Sequence, residues 1–411
     1  MEELTTYTLE EISIGKGTYG IGAPAIPFDK NKRTYLRITD INEDGTLNKD
    51  GLMSVEEEKA DEYLLAPNDI VFARTGNSTG RTYFYEESDG IFCYAGFLIK
   101  FTLNPNKVNP RILKYYTHSK AYYDWVHSFD TGGTRGNINA KTYGQMPVTL
   151  PSKERQDCIV EICKSLDDKI EVNKQINDNL EQQAQALFKS WFVDFEPFKD
   201  RKFVDSELGM IPEGWRVEEL GNITNSITEK VGKRTDIKVL SPVNTGGLLL
   251  SEEYFTKQVY SKNLAKYIMV APNDFSYNPA RINIGSIGMN TFDFRGCVSP
   301  VYVVFRCEKE YHHFFNIFKA TKNFKEEVNT RAIGGVRQTL SYKDFSLIKI
   351  VYPPKEAVEQ FNKIYSHIMT LIKKNILEKD DYGQIDDIEF IKIKCITSSK
   401  RDYKLDAEYK L

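Results

Sequence analysis

At 411 residues, 41% hydrophobic and 27% charged, the chain is too long for one ordinary core and has the make-up of a soluble globular protein of two or more domains. A net charge of −3 excludes a uniformly basic nucleic-acid binder but leaves room for a local basic face. No apolar run approaches 18 residues, and the start, MEELTTYTLEE, lacks a leader's basic and apolar regions, so neither a membrane span nor a signal peptide is expected.

Residues 1–150 read as a first globular domain. Tyr7-Thr-Leu-Glu-Glu-Ile12 opens it and resembles Trp215-Arg-Val-Glu-Glu-Leu220 further on. Gly15 to Gly20 fits G-x-G-x-x-G, but no H-R-D, D-F-G or G-x-x-x-x-G-K-[ST] accompanies it, so a backbone turn is expected rather than a nucleotide loop. Segments 34–39, 69–74, 81–86 and 91–101 are rich in β-branched and aromatic residues between turn signals and predict strands. Residues 111–129 predict a helix, and a polar loop, 130–139, follows.

Residues 151–195 predict one long helix. Ile159, Ile162, Leu166, Ile170, Ile176, Leu180, Ala184, Leu187 and Trp191 recur at steps of three and four, with Asn173 filling the gap. Forty helical residues would span about 60 Å. So narrow a stripe calls for one partner helix, as in a coiled coil. The chain supplies it: shifted by 202 residues, Gly132-Gly-Thr-Arg135 falls on Gly334-Gly-Val-Arg337 and Pro151 on Pro353. In that register Ile159, Ile162, Leu166 and Ile170 lie over Phe361, Ile364, Ile368 and Ile372, and Asn173 over Asn375. An ungapped match over about 40 residues marks an internal repeat.

A second domain, 196–352, repeats the order. Ala271-Pro-Asn-Asp274 echoes Ala66-Pro-Asn-Asp69, Arg281 stands for Arg74, and residues 302–306 for 97–101. Residues 312–324 take the helical place and 330–338 the loop. Leu187-Phe-Lys-Ser-Trp-Phe-Val-Asp-Phe-Glu-Pro-Phe198 reads as an aromatic plug where helix meets domain. A distal helix, 353–380, and a polar tail, 381–411, complete the chain.

Ile211-Pro-Glu-Gly-Trp-Arg-Val, the aromatic plug and the twice-used Gly-Gly-x-Arg loop, leading to Leu-Pro-Ser-Lys-Glu-Arg-Gln and Tyr-Pro-Pro-Lys-Glu-Ala-Val, resemble the specificity subunits of type I restriction–modification systems. The resemblance implies an α+β fold: two similar α/β target recognition domains joined by two long helices paired as an antiparallel coiled coil, with pseudo-two-fold internal symmetry. It implies a DNA-binding, non-catalytic subunit of a cytoplasmic complex, each domain reading half of a bipartite double-stranded site while the helices set the gap. Two methylation subunits and restriction subunits are the expected partners. S-adenosylmethionine, ATP and Mg²⁺ are expected in those partners, with no cofactor in this chain. The tail departs from the pattern, because Leu-Asp-Ala-Glu-Tyr resembles the start of a recognition domain.

The chain's own chemistry points the same way. The five histidines lack Cys, Asp or Glu at ligand spacing, so no metal site is expected. The six cysteines are scattered without a C-x-x-C pair and are expected as reduced thiols. The competing class, a stand-alone DNA adenine methyltransferase, rests on Asn278-Pro-Ala-Arg281, which lacks that site's aromatic residue and a Gly-rich cofactor turn.

Base readers should carry forked donors or mixed donor–acceptor ends. In the first domain the candidates are Arg74, Thr75, Asn77, Thr79, Arg81, Thr134, Arg135, Asn137 and Lys141. In the second they are Lys233, Arg234, Asn244, Arg281, Asn283, Arg331, Arg337 and Gln338. Arg135 and Arg337 share one repeat position, which favours a common phosphate contact over separate base readout. The interface stripe comprises Ile159, Ile162, Leu166, Ile170, Asn173, Ile176, Leu180 and Leu187 with Phe361, Ile364, Ile368 and Ile372.

Overall fold

The computed structural model describes residues 4–130, 136–244, 247–255, 260–332 and 339–383. The fold is α+β, and the chain divides into two units, Met1–Val172 with Leu377 onward and Asn173–Ile376. The cut falls inside both long helices, the central one Lys153–Phe192 and the distal one Lys355–Gly383.

The first unit carries an antiparallel sheet in the order Thr18–Tyr19, Leu98–Thr102, Asp69–Ala73, Thr82–Phe84. Asp69–Ala73 is buried throughout. Ile70 and Phe72 enter one apolar cluster with Leu113, Tyr143 and Ile159, while Val71 and Ala73 enter another. That is the alternation of a strand sandwiched on both faces. A second sheet joins Ala25–Ile26, Met53–Val55, Arg33–Leu36 and Phe92–Tyr94. The segment expected as one strand over 91–101 is therefore two, in different sheets, broken at Ala95-Gly96-Phe97.

The glycine motif is structural. A Cβ on Gly17 would stand 2.5 Å from the Phe101 ring, and one on Gly20 would stand 2.2 Å from the Tyr94 carbonyl. The glycines let this segment lie against the sheet, and Thr18–Tyr19 pairs with Lys100 and Ile99.

The second unit repeats the frame: Thr224–Ile227, Val303–Cys307, Phe275–Tyr277, Ile287–Met289, again antiparallel. Each central strand starts from the same turn. Asn68 and Asn273 have φ of 71° and 67°, and the Asp69 and Asp274 carboxylates accept the Ala66 and Ala271 N–H at 2.8 Å. Ala-Pro-Asn-Asp encodes that turn locally, because Asn tolerates the left-handed conformation and Asp caps its own turn.

The offset of 202 holds at the starts of the long helices and at the short helices before them. The helices begin at Lys153 and Lys355, and Asn139 and Ser341 cap equivalent short helices by accepting the Thr142 and Asp344 N–H. Elsewhere three expected matches shift. Leu9 and Leu220 bond the Met146 and Ile348 carbonyls, so Leu220 is equivalent to Leu9 rather than Ile12. Ile70 pairs with Phe101 and Phe275 with Phe305, so residue 306 matches Thr102, one place from expectation. Phe72 pairs with Thr82 and Tyr277 with Ile287, an offset of 205 that superposes Gly80 (φ 87°) on Gly285 (φ 93°). Arg74 then corresponds to Pro279, and Arg281 to Gly76.

The helices expected over 111–129 and 312–324 are each two. Ser119 and Thr321 cap Lys120–His127 and Lys322–Arg331 and break the run.

Within the second unit the long helices pair antiparallel: Phe188 and Phe192 touch Phe361, while fifteen residues before Phe192, Asn177 meets Asn375. The distal helix buries Val358, Phe361, Tyr365, Ile368 and Ile372 at steps of three and four. Two expected seam residues lie outside it. Ile364 is 44% exposed and Tyr365 takes its place; Ile176 is 44% exposed beside the half-buried Asn177. Asn375 donates to Asn177 at 2.8 Å, and Asn375 and its repeat counterpart Asn173 are both half-buried. Leu180 and Leu187 pack against the second unit's core. Ile159 is buried in the first unit's core, and Ile162, Leu166 and Ile170 are half-buried.

The aromatic plug is core. Trp215 of the Ile-Pro-Glu-Gly-Trp motif meets the rings of Phe192, Phe195 and Phe198 at 6.0, 5.2 and 5.1 Å, so the two diagnostic motifs pack on each other. Cys93, Cys163, Cys297 and Cys307 are free and buried, and burial pushes their thiols up, Cys93 to about 11. No helix among the described residues is long and apolar enough to cross a membrane.

Candidate nucleic-acid interface

In the first unit the turn at residues 74–81 joins the sheet's central strand to Thr82–Phe84, and buried side chains hold it from beneath. Tyr143 Oη donates to the Ala73 carbonyl at 3.0 Å and Tyr122 Oη to the Gly80 carbonyl at 2.7 Å. Both tyrosines are buried, and burial raises both hydroxyls above their ordinary value, so they stay neutral donors. Thr79 is also buried. Its hydroxyl contacts the Gly76 carbonyl at 2.8 Å and the Gly136 carbonyl at 3.1 Å, so it braces the turn against the following loop. The Ile138 N–H donates to the Arg74 carbonyl at 3.0 Å, fastening that loop a second time.

On this scaffold Arg74 and Thr75 are half-buried, while Asn77, Asn137 and Lys141 are exposed. Arg81 is half-buried; its guanidinium donates to the Ile41 carbonyl and to Glu43, both at 3.0 Å. Thr134 and Arg135 lie outside the described residues.

The second unit presents the equivalent turn at 278–286. Leu340 N–H donates to the Pro279 carbonyl at 3.0 Å, as Ile138 does to Arg74. Arg281 is exposed and Asn283 half-buried on this turn. Asn244, exposed, is brought to it: a Cβ on Gly285 would stand 2.8 Å from the Asn244 carbonyl, and Ser286 Oγ donates to the Pro242 carbonyl at 2.8 Å. Helix Lys322–Arg331 packs on residues Ile282–Ile284, and Arg331 at its end bonds Glu327 at 3.1 Å.

Lys233 and Arg234 occupy another loop, where Arg234 is held by Glu229 at 2.7 Å and by the Lys230 carbonyl at 2.8 Å. Arg337 and Gln338 lie outside the described residues. Asn278 of the Asn-Pro-Ala-Arg segment accepts the Ala280 N–H at 3.0 Å, so it starts the turn.

Sequence reasoning missed Tyr19, Phe97, Tyr122 and Tyr143. Tyr19 Oη accepts the Ala140 N–H at 3.0 Å, and its ring and that of Phe97 lie 5.1 and 6.0 Å from the Arg74 Cζ. The signal was Tyr19's place inside the glycine motif, an aromatic ring between the close-packed Gly17 and Gly20.

Histidine chemistry is absent from both turns. Burial pushes His118, His312 and His313 below their ordinary value, so they are neutral packing residues. Among the described residues no three His, Cys, Asp or Glu are grouped to hold a metal ion.

Residues 1–182 match the family model described as type I restriction modification DNA specificity domain. The chain is 26% identical over 281 residues to the type I restriction enzyme MjaIX specificity subunit of Methanocaldococcus jannaschii. That match covers 64% of this chain and 63% of that protein, so the chain spans less than two thirds of this relative's length. It is 34% identical over 134 residues to the HindI specificity subunit of Haemophilus influenzae, covering 32% of this chain and 29% of the other. In fold it is similar to the crystal structure of a type I restriction-modification system S subunit from M. genitalium. That likeness has a TM-score of 0.54 at 14% identity and covers 95% of this chain and 96% of the other.

Proposed function

We propose that this chain, whose residues 1–182 match the family model described as type I restriction modification DNA specificity domain, is the sequence-reading subunit of a type I restriction–modification complex. Each unit reads one half of a bipartite double-stranded DNA site. The long helices set the gap and dock two methylation subunits, with restriction subunits joining them. The chain performs no chemistry itself: S-adenosylmethionine, ATP and Mg²⁺ act in the partners, in the cytoplasm where the DNA is.

One observation carries this reading. Both units present the same turn, on the same pair of strands, fastened by the same bond from the following loop, yet with different exposed side chains. A shared frame with divergent display is what reading two different sequences requires. The role of Asn278 in starting a turn supports the reading over a stand-alone adenine methyltransferase.

Exchanging residues 215–352 for those of another family member tests it. Sequencing of methylated sites should show one half-site changed and the other intact. A change in both would overturn independent reading.

A further inference from the structure

The described candidate arginines separate by what holds their guanidinium. Arg81, Arg234 and Arg331 are each engaged by a carboxylate, from Glu43, Glu229 and Glu327. Arg74 is not. Its guanidinium lies by two rings, Tyr19 and Phe97, which are 41% and 56% exposed. Its Nε is buried without a partner, and its two Nη make no hydrogen bond or ion pair among the described residues. The backbone beneath is fixed at both ends: the Arg74 N–H donates to the Phe97 carbonyl at 3.1 Å and its carbonyl accepts from Ile138 at 3.0 Å.

We propose that Arg74 reads a guanine through the major groove in the first half-site, with Tyr19 and Phe97 as positioning residues that hold its guanidinium in plane. The inference rests on the reading of the chain as a DNA-specificity subunit. A phosphate contact asks only for a cation within reach, and a mobile side chain provides it. A guanine asks for two parallel donors in a fixed plane aimed at O6 and N7, which is what a guanidinium offers once its stem is restrained. With Nε buried, the outward edge is the Nη pair. The equivalent position in the second unit is Pro279, which has no donor, so this readout belongs to the first half-site alone.

The test is selection from a randomised duplex pool, using the full chain purified with the subunits it retains. The unaltered protein should recover a bipartite site with one fixed guanine that Arg74→Ala releases. The variant should lose roughly 5- to 150-fold of the preference for that pair, with the second half-site unchanged. Arg74→Lys should lose the same preference while keeping affinity for unrelated duplexes. Phe97→Ala, at an exposed ring, should lose about two- to five-fold, the size of an exposed cation–π contact. Weakening on every sequence alike, with a salt slope shallower by about one, would make Arg74 a phosphate contact and overturn the proposal. So would an unchanged base preference in Arg74→Ala. If the unaltered protein recovers no sequence at all, the DNA-specificity reading itself fails, which distinguishes the two.

Discussion

Gly285 shows how one residue can hold a turn in shape. Its φ of 93° lies in the left-handed region, and a Cβ would stand 2.8 Å from the Asn244 carbonyl, which is backbone and cannot move aside cheaply. Gly285→Ala should cost at least about 1–2 kcal/mol from the backbone alone, read as a lower urea midpoint. Gly22→Ala, with nothing within 4 Å and an ordinary φ, should be neutral to within about 0.5 kcal/mol. Equal effects would refute the assignment. His313 supplies a pH dependence. Burial, with His312 beside it, lowers its pKa from 6.5 to about 4, and its Nδ1 is buried without a partner. Below 6.5 the unfolded chain takes up a proton that the fold refuses until about 4, so stability is full above 6.5 and falls as pH drops through that window. The slope is at most about 1.4 kcal/mol per pH unit, less with solvent screening. Denaturation at pH 7 and pH 5 should show the loss, and His313→Gln should make the profile shallower; an unaltered profile would exclude His313 as its source.

Among the elements, the paired helices of the second unit are held by an aromatic end and a polar step. Phe188, Phe192 and Phe361 form the first, and the Asn375–Asn177 bond the second. An amide pair in an apolar seam stabilises little but costs free energy when halved, which favours one register over its neighbours. Asn177→Leu alone should therefore destabilise by about 1–3 kcal/mol, by stranding the Asn375 amide, whereas the double Leu variant should recover most of that. A double-mutant cycle on urea midpoints checks it; additive losses would mean that the pair is not coupled. The exposed Ile176 and Ile364 belong to neither half of this seam.

For the whole molecule, the proposal makes the helices a ruler. Seven residues inserted into the central helix near Asn177 add about 10 Å with little change of facing, since two turns take about 7.2 residues. At about 3.4 Å per base pair, the gap between half-sites should lengthen by up to about three pairs, with both half-sites unchanged. Four residues should add one or two. Sequencing of methylated sites in the insertion variants decides it, because an active protein with the old gap would show that something other than helix length sets the spacing.

The sequence by itself determined the repeat, the two long helices and their starts, and the turns that open the central strands. Each is written in local chemistry: a cap within three residues of what it caps, an Ala-Pro-Asn-Asp turn, an apolar period. It did not determine register inside the repeat. The offset between the halves is 211 at Leu9 and Leu220, 205 at Gly80 and Gly285, 204 at Phe101 and Phe305 and 202 at Lys153 and Lys355. Each step follows from a strand meeting a partner far along the chain, and a slip of one residue turns every side chain to the other face. A helical period likewise leaves adjacent positions such as Ile364 and Tyr365 undecided until a partner helix chooses between them. The candidate contact residues were legible only as residue types in polar loops. Only the tertiary structure separated their arginines, since Glu43 reaches Arg81 across 38 residues of chain, while the rings beside Arg74 come from strand Thr18–Tyr19 and from the turn at Ala95-Gly96-Phe97.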